Sequence, residues 1–159
     1  MLIRPYQPQD KTRIGELIGK IQREEFQIPI TLADQPDLAD IPGFYQKGRG
    51  NFWVAETGGH IVGTIALIEI SNDNGVIRKM FVDQNYRGAP HFTAKNLLDG
   101  LESWTAEMKF KNIYLGTTSK FLAAHRFYEK NNYISIAEGD LPADFPRMKV
   151  DTVFYKKAV

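Results

Sequence analysis

The segment from Val76 to Thr117 constrains the fold most, because its apolar residues change period twice. Val76 to Val82 is typical of a strand, whereas the stretch from about Phe92 to Met108 repeats its apolar residues at helical spacing. Asn112 to Thr117 is again typical of a strand. A strand, a helix and a second strand in this order make a right-handed parallel crossover. The sequence therefore predicts a sheet that contains at least one parallel pair.

The other strand signals predict antiparallel neighbours. Asn51 to Thr57 and His60 to Ile70 flank Gly58-Gly59, a two-residue connection that favours a β-hairpin. A second turn, Asn72 to Gly75, leads into the strand at Val76. We therefore predict an α/β (α+β) fold with a mixed, mainly antiparallel sheet of about seven strands flanked by helices. The remaining strands are predicted at Leu2 to Pro5, near Tyr133 to Ala137 and near Val150 to Tyr155.

Two further helices are predicted from apolar spacing and capping residues. The first follows Asp10 as N-cap, and the second follows Ser119. Gln27 to Gly50 holds three prolines without a flexible linker, which predicts either a long functional loop or short helices and not a domain boundary. We expect one domain over residues 1–159, a usual size for a single core.

Composition excludes several classes of function. Twenty basic and 19 acidic residues give a net charge of +1, which disfavours nucleic acid or an anionic membrane as partner. The absence of cysteine excludes disulfides, thiolate metal sites and a cysteine nucleophile, and the three histidines show no metal spacing. The N-terminus has charged residues and prolines where a signal peptide has its apolar stretch, so we expect a cytoplasmic protein without a metal.

The segment from Val82 to Lys95 is the first candidate site. It places Arg87, Gly88 and Lys95 between a predicted strand and a predicted helix. Unpaired amides at a helix N-terminus together with one or two cations suit a polyphosphate. The alternative is an ordinary turn with a solvated arginine, since one glycine turn is a weak signal.

Four segments together resemble the GNAT family of N-acetyltransferases, which bind acetyl-CoA and acetylate amines. The likeness covers nearly the whole chain. The segments are KMFVDQNYRG (79–88) before an amphipathic helix, NIYLGTTSK (112–120), AAHRFYEKNNY (123–133) and LPADFPRMKVDTVFYKK (141–157).

The resemblance implies an acetyl-CoA site along one strand and its following loop. Counting forward from Arg87 puts Pro90 and Phe92 on the two small-residue positions of the family's loop. Counting back from the helix puts Phe92 and Ala94 there, and we favour this second register. Phe121 stands where the family often has asparagine. The implied acetyl-CoA contacts are Met80, Phe81, Val82, Arg87, Gly88, Ala89, His91, Ala94, Lys95, Phe121 and Ala124.

The same resemblance implies catalytic and acceptor residues. Tyr128 occupies the family's general-acid position, where the alternative is a core tyrosine. Glu69, a polar residue in the apolar run IALIEI, is our candidate base, although such a residue is more often a solvent-facing or paired carboxylate. Glu24, Glu25 and Phe26 would border the acceptor cleft, and two carboxylates there favour a cationic amine.

The predicted function is an acetyl-CoA-dependent N-acetyltransferase that acts on a primary amine of a small molecule or peptide. Transfer would be direct, in a ternary complex, because no cysteine can carry an acyl intermediate. The alternative is a non-catalytic acyl-CoA-binding or interaction domain on the same fold. A homodimer is left open.

Overall fold

The computed structural model describes all residues from Met1 to Val159. Its main elements follow the predicted order, with short helices between the first helix and the second strand. The strands are β1 (Leu2–Pro5), β2 (Asn51–Thr57), β3 (His60–Ile70), β4 (Asn74–Val82), β5 (Asn112–Thr117), β6 (Ile134–Ile136) and β7 (Val153–Ala158). The helices are α1 (Lys11–Lys20), α2 (Pro36–Ala39), α3 (Ile41–Phe44), α4 (Thr93–Glu107) and α5 (Leu122–Lys130).

The seven strands form one sheet in the order β1-β2-β3-β4-β5-β7-β6. Every neighbouring pair is antiparallel except β4 with β5, which the α4 crossover makes parallel. The predicted mixed, mainly antiparallel sheet is therefore confirmed. No helix has both the length and the apolar character that a membrane crossing requires.

Strand β4 leaves β5 early while it stays paired with β3. Its pairing with β5 covers only Asn74 to Val76, whereas its pairing with β3 continues to Val82 opposite Gly63. A bulge interrupts the β3–β4 register between Thr64 and Ala66, and Lys79 on the bulged strand has φ of 54°. Bulges bend a strand and increase its twist. We call the region between residues 77–82 of β4 and 115–117 of β5 the β4–β5 gap.

The sheet is covered on both faces by separate apolar clusters. One face, which we call the α4 face, packs α4 and α5 against the sheet through side chains such as Leu97, Leu98 and Tyr128. The other, the α1 face, packs α1 and α3 through side chains such as Ile14 and Ile41. The β4–β5 gap lies between these two layers, so a ligand in it would be reached from both.

Several local expectations were wrong at element ends. The α1 helix begins after Asp10, but the Asp10 carboxylate does not cap it; both carboxylate oxygens bind Arg4 instead, at 2.8 and 2.9 Å. Helix α5 begins at Leu122 with Phe121, not Ser119, in the capping position. The segment from Gln27 to Gly50 contains short helices, one of the two predicted alternatives.

The last strand begins three residues later than expected. Residues 150–152 are held in a loop because the Asp151 carboxylate accepts the Met148 N–H at 2.9 Å, and the Thr152 N–H donates to Thr117 at 2.8 Å. Regular pairing of β7 with β5 starts only at Val153. This local folding places Asp151 beside the β4–β5 gap instead of within the sheet ladder.

Candidate active site

Strand β4 presents backbone groups to the gap. The Asp83 N–H donates to Val62 of β3 at 2.8 Å, so by strand alternation the N–H groups of Val82 and Met80 point to the side that β5 has left. The side chains of Met80 and Val82 pack in the apolar cluster of the α4 face, which we call the α4 cluster. Phe81 packs against the cluster of the α1 face, the α1 cluster. The open edge of β4 can therefore pair with an extended, amide-containing ligand.

The start of α4 lies beyond the end of this edge. The backbone N–H groups of Thr93, Ala94 and Lys95 have no acceptor within the chain. Gly88, with φ of +64°, turns the preceding loop, and its carbonyl accepts the N–H groups of His91 and Phe92 at 2.9 and 2.8 Å. Free amides at the positive end of a helix dipole form a site for an anion such as a diphosphate.

The cations of this loop are paired within the chain. Arg87 forms an ion pair with Glu25, in which Nη2 lies 2.7 Å from Oε2, and its guanidinium also donates to the Val82 carbonyl. Lys95 pairs with Asp99 at 2.6 Å on the exposed surface of α4. A diphosphate bound at the free amides would therefore compete with Glu25 for Arg87.

Three of the loop and helix positions expected near acetyl-CoA contribute packing instead of charge. The His91 ring packs on Tyr86 with centroids 4.9 Å apart. Ala94 and Ala124 pack against the α4 cluster at the starts of their helices. Ala89 is an exposed residue of the same loop. These small side chains leave the helix N-termini open to a ligand.

Tyr128 lies in a packed group of three tyrosines and is 4% exposed. Its ring centroid is 5.4 Å from that of Tyr133 and 6.2 Å from that of Tyr155. The neighbours donate their hydroxyls to Glu102 and Glu129 at 2.9 and 2.6 Å, whereas the Tyr128 hydroxyl has no partner in the chain. Burial raises its pKa, so the hydroxyl is protonated at neutral pH and remains available as a donor.

Glu69 is placed away from these groups. It lies opposite Gly75, at the end of β4 where β4 and β5 are still paired. Arg49 binds its carboxylate through Nε at 3.0 Å, Nη2 at 2.8 Å and the backbone N–H at 2.7 Å. These hydrogen bonds lower the pKa of Glu69 and make it a poor proton acceptor.

The π-helical segment Ile21–Glu25, which continues α1, connects both sides of the gap. While Glu25 reaches Arg87, the next side chain, Phe26, packs on Phe121 at the start of α5 with ring centroids 4.8 Å apart. Glu24 and Glu25 also line a cavity of about 250 Å³ together with residues of α1 and of the 83–85 turn. The three candidate acceptor residues therefore lie at one mouth of the gap.

Two groups beside the gap carry signals that the sequence analysis missed. Lys79, 9% exposed at its side chain, lies 3.4 Å from Asp37 and donates to Gln35 at 2.7 Å, and Asp37 accepts the Tyr45 hydroxyl at 2.5 Å. Asp151 is 6% exposed, and burial raises its pKa. No local pattern marked these residues in the sequence, because Lys79 simply follows another basic residue, Arg78, and Asp37, the partner of Lys79, is 42 positions away.

Comparison with known proteins identifies the family. The family model described as "Acetyltransferase (GNAT) family" matches residues 16–133. The chain therefore belongs to the GNAT acetyltransferase family, as the motifs predicted. A GNAT-family acetyltransferase from Staphylococcus aureus Mu50 has 40% sequence identity and a TM-score of 0.92, with 99% of this chain and 98% of that chain covered.

Two more distant matches extend this comparison. N-acetylaspartate synthetase of Danio rerio is 36% identical over 108 residues, which are 64% of this chain and 36% of that protein. The chain spans about a third to a half of the length of the curated synthetases it matches. PaiA N-acetyltransferase of Thermoplasma acidophilum, solved with coenzyme A, shares the fold at a TM-score of 0.74 and 14% identity, over 99% of this chain and 98% of that chain.

Proposed function

We propose that this protein transfers the acetyl group of acetyl-CoA to a primary amine of a small molecule or peptide. The observation that carries the proposal is the β4–β5 gap, where the free N–H groups of β4 lead to the free amides of α4. The family assignment supports acetyl-CoA as the cosubstrate. The hydroxyl of Tyr128, on the α4 face with the start of α4, supplies a proton donor.

Acetyl-CoA would bind as an added strand. The pantetheine amides would pair with the N–H and C=O groups of Met80 and with the N–H group of Val82, as a peptide pairs with a sheet edge. The diphosphate would accept hydrogen bonds from the N–H groups of Ala94 and Lys95, and it would draw the Arg87 guanidinium away from Glu25. This arrangement uses backbone groups for most of the binding, so the side chains there are free to form the core.

The transfer itself needs three proton movements. The neutral amine attacks the thioester carbonyl carbon, the C–S bond breaks, and the leaving sulfur takes a proton from Tyr128. The nitrogen, now bonded to the acetyl carbon, gives up its extra proton to the Tyr128 oxygen, which restores the hydroxyl and leaves the neutral amide. A primary ammonium has a pKa near 10, so it must first lose a proton to become a nucleophile. We propose Asp151 as the group that accepts this proton, because its carboxylate lies beside the gap against Gly116 without an ion pair, whereas Arg49 binds the carboxylate of Glu69.

The alternative, a non-catalytic acyl-CoA-binding domain, also has support. The ion pair between Arg87 and Glu25 occupies the cation expected at the diphosphate, and Phe121 replaces an asparagine of the family pattern. Both features would weaken acetyl-CoA binding or turnover without changing the fold.

Enzymatic turnover separates the two functions. The protein would be incubated with acetyl-CoA and a panel of amines, peptides and aminoglycosides, while free thiol is measured. Amine-dependent thiol release supports the transferase. Acetyl-CoA should also raise the melting temperature, since a ligand at a hundredfold excess over its Kd stabilises by about 2.7 kcal/mol. A thermal shift without thiol release on any amine would favour the acyl-CoA-binding domain. No shift at millimolar acetyl-CoA would contradict both acyl-CoA functions and favour an interaction domain on the same fold.

We also propose that residues 1–159 act as a single cytoplasmic domain. Both apolar clusters share one sheet, and a chain without cysteine is compatible with a reducing compartment. Sedimentation of the purified protein would decide between a monomer and a homodimer.

A further inference from the structure

Arg78 lies where the acceptor amine would approach. It follows the last β4 residue paired with β5, Val76, by two positions. It stands opposite Ala66, whose side chain belongs to the α1 cluster, so Arg78 faces the α1 side of the gap. The bulge at Lys79 directs that side chain to the same face, where it meets Asp37. Two adjacent cations, Arg78 and Lys79, therefore both lie on the α1 face, whereas Tyr128 and α4 lie on the α4 face.

The two cations differ in their partners. Lys79 has Asp37 and Gln35, as described above, but Arg78 has no carboxylate within 4.0 Å. The other half-buried arginines, Arg4 and Arg49, each bind two carboxylates. The single hydrogen bond of the Arg78 side chain goes to the Met148 sulfur at 3.2 Å, and a thioether is a weak acceptor. Most of its five N–H donors are therefore unused.

Neither nearby carboxylate pairs with Arg78. Asp37 binds Tyr45 and Lys79, and Asp151 accepts the Met148 N–H. The Arg78 guanidinium reaches Met148, whose N–H binds Asp151, so it lies on the Asp151 side of the gap. Half-buried guanidinium groups are stabilised by anionic partners, and a carboxylate matches the planar fork with two parallel hydrogen bonds. An external carboxylate would supply what the chain does not.

We propose that Arg78 binds a carboxylate of the acetyl acceptor, so that the substrate is an amine that also carries a carboxylate, such as a free amino acid. This proposal rests on the transferase function proposed above. With the carboxylate on Arg78, the amino group would point toward Asp151 over Gly116 of β5, where the Asp151 carboxylate occupies the space of a side chain. One acceptor would thus bridge the cation of β4 and the anion beside β5.

The test compares three matched sets of acceptors: the common free amino acids, their α-carboxamides, and amines such as ethylamine that lack the carboxylate. Thiol release should be concentrated in the free-acid set. Arg78→Gln should raise the KM of the best free acid by roughly tenfold or more, as loss of a charge-assisted bidentate contact implies. The KM of Arg78→Lys should lie between those of the wild type and Arg78→Gln. The KM of any carboxamide and the Kd of acetyl-CoA should not change.

Arg126→Gln is the matched control, because Arg126 is an exposed arginine of α5 without a carboxylate partner. Thermal unfolding of each variant checks that the fold is intact. Equal turnover of acids, carboxamides and simple amines would overturn the carboxylate proposal and leave the transferase function standing. An unchanged KM in Arg78→Gln would overturn it as well. Absence of thiol release from every set would instead contradict the transferase function, and the carboxylate proposal with it.

Discussion

The two faces of the sheet meet at one gap but are built by different chemistry. The α4 face is apolar and regular, with fully buried leucines such as Leu97 and Leu98 from one long helix. The α1 face beside the gap instead contains buried charges, Lys79 and Asp37, held by two helices of four residues each and the segment before them. A face of backbone donors and apolar packing suits a cosubstrate that many related enzymes share. A face of charged side chains suits an acceptor that differs between them.

The largest expected effect concerns the buried charges of the α1 face. Asp37→Asn would leave the Lys79 ammonium without a carboxylate while both side chains remain about 90% buried. Breaking a buried pair by removing one partner typically costs about 3–5 kcal/mol of folding stability. Urea denaturation should show this loss. Asp99→Asn on α4, which breaks the exposed pair with Lys95, should cost less than about 1 kcal/mol. Similar losses in both variants would contradict the difference between the faces.

The second effect tests the chemistry of the α4 face. Tyr128→Phe keeps the ring and removes only the unpaired hydroxyl, so folding and the Kd of acetyl-CoA should be preserved. General acid catalysis is commonly worth 10²- to 10⁴-fold, but a thiolate is already a fair leaving group, so we expect kcat to fall roughly ten- to hundredfold.

Tyr155→Phe is the matched control for this experiment, since Tyr155 packs in the same group and its hydroxyl binds Glu129. Its kcat should stay within about twofold of the wild type. The kcat of each variant should be measured under conditions in which the chemical step limits turnover. An unchanged kcat in Tyr128→Phe would return this tyrosine to the core and leave the reaction without a named acid.

The same contrast explains what the sequence could predict. On the α4 face, periodic apolar residues and the Gly58-Gly59 turn predicted β2, β3, β5 and α4 within one residue at each end, because local period decides such elements. The expected phosphate loop also follows from local order, strand then glycine then helix. Tyr128 was found only through the family resemblance, since its position on a helix is also typical of a core residue.

The α1 face and the ends of elements depend on contacts that the local pattern does not contain. Asp10 is a good N-cap by type, yet Arg4 takes its carboxylate. The later start of β7 depends on Asp151 and its partner Met148, which no strand propensity reveals. Glu69 was proposed as a base although a paired carboxylate was the favoured alternative, and Arg49, 20 positions away, does pair with it. The particular partner of each side chain, whether three or 20 positions away, was therefore the part that sequence reasoning missed.

The third effect tests whether acetyl-CoA recruits a side chain beyond the backbone groups. Arg87→Ala should weaken acetyl-CoA about five- to tenfold, because a charge-assisted contact at an exposed site is partly screened by solvent. The loss should vanish for acetyl-pantetheine, which lacks the diphosphate. Equal losses for both compounds, measured by isothermal titration calorimetry, would exclude a diphosphate contact by Arg87.

A smaller effect of opposite sign is expected from its partner. Glu25→Gln removes the carboxylate that competes for Arg87, so acetyl-CoA should bind about two- to fivefold more tightly. The gain should disappear in the double variant with Arg87→Ala, because no cation is left to release. Weaker binding in Glu25→Gln would show that the pair instead holds the loop in a binding-competent shape.

The smallest effect is an alkaline one that both faces share. Burial raises the pKa of Tyr128 on the α4 face and of Tyr45 on the α1 face. Such a tyrosine keeps its proton in the folded chain, while the unfolded chain loses it near pH 10. The contribution of each raised tyrosine pKa to the free energy of unfolding is therefore fully present below pH 10 and decreases as the pH rises above it. Folding stability should decrease between pH 9 and about pH 10.5, and in Tyr128→Phe this decrease should be smaller by less than about 1 kcal/mol, as measured by urea midpoints at each pH. Identical pH slopes in the wild type and the variant would mean that the Tyr128 hydroxyl ionises in the folded chain as readily as in the unfolded one, which would contradict its burial against the gap.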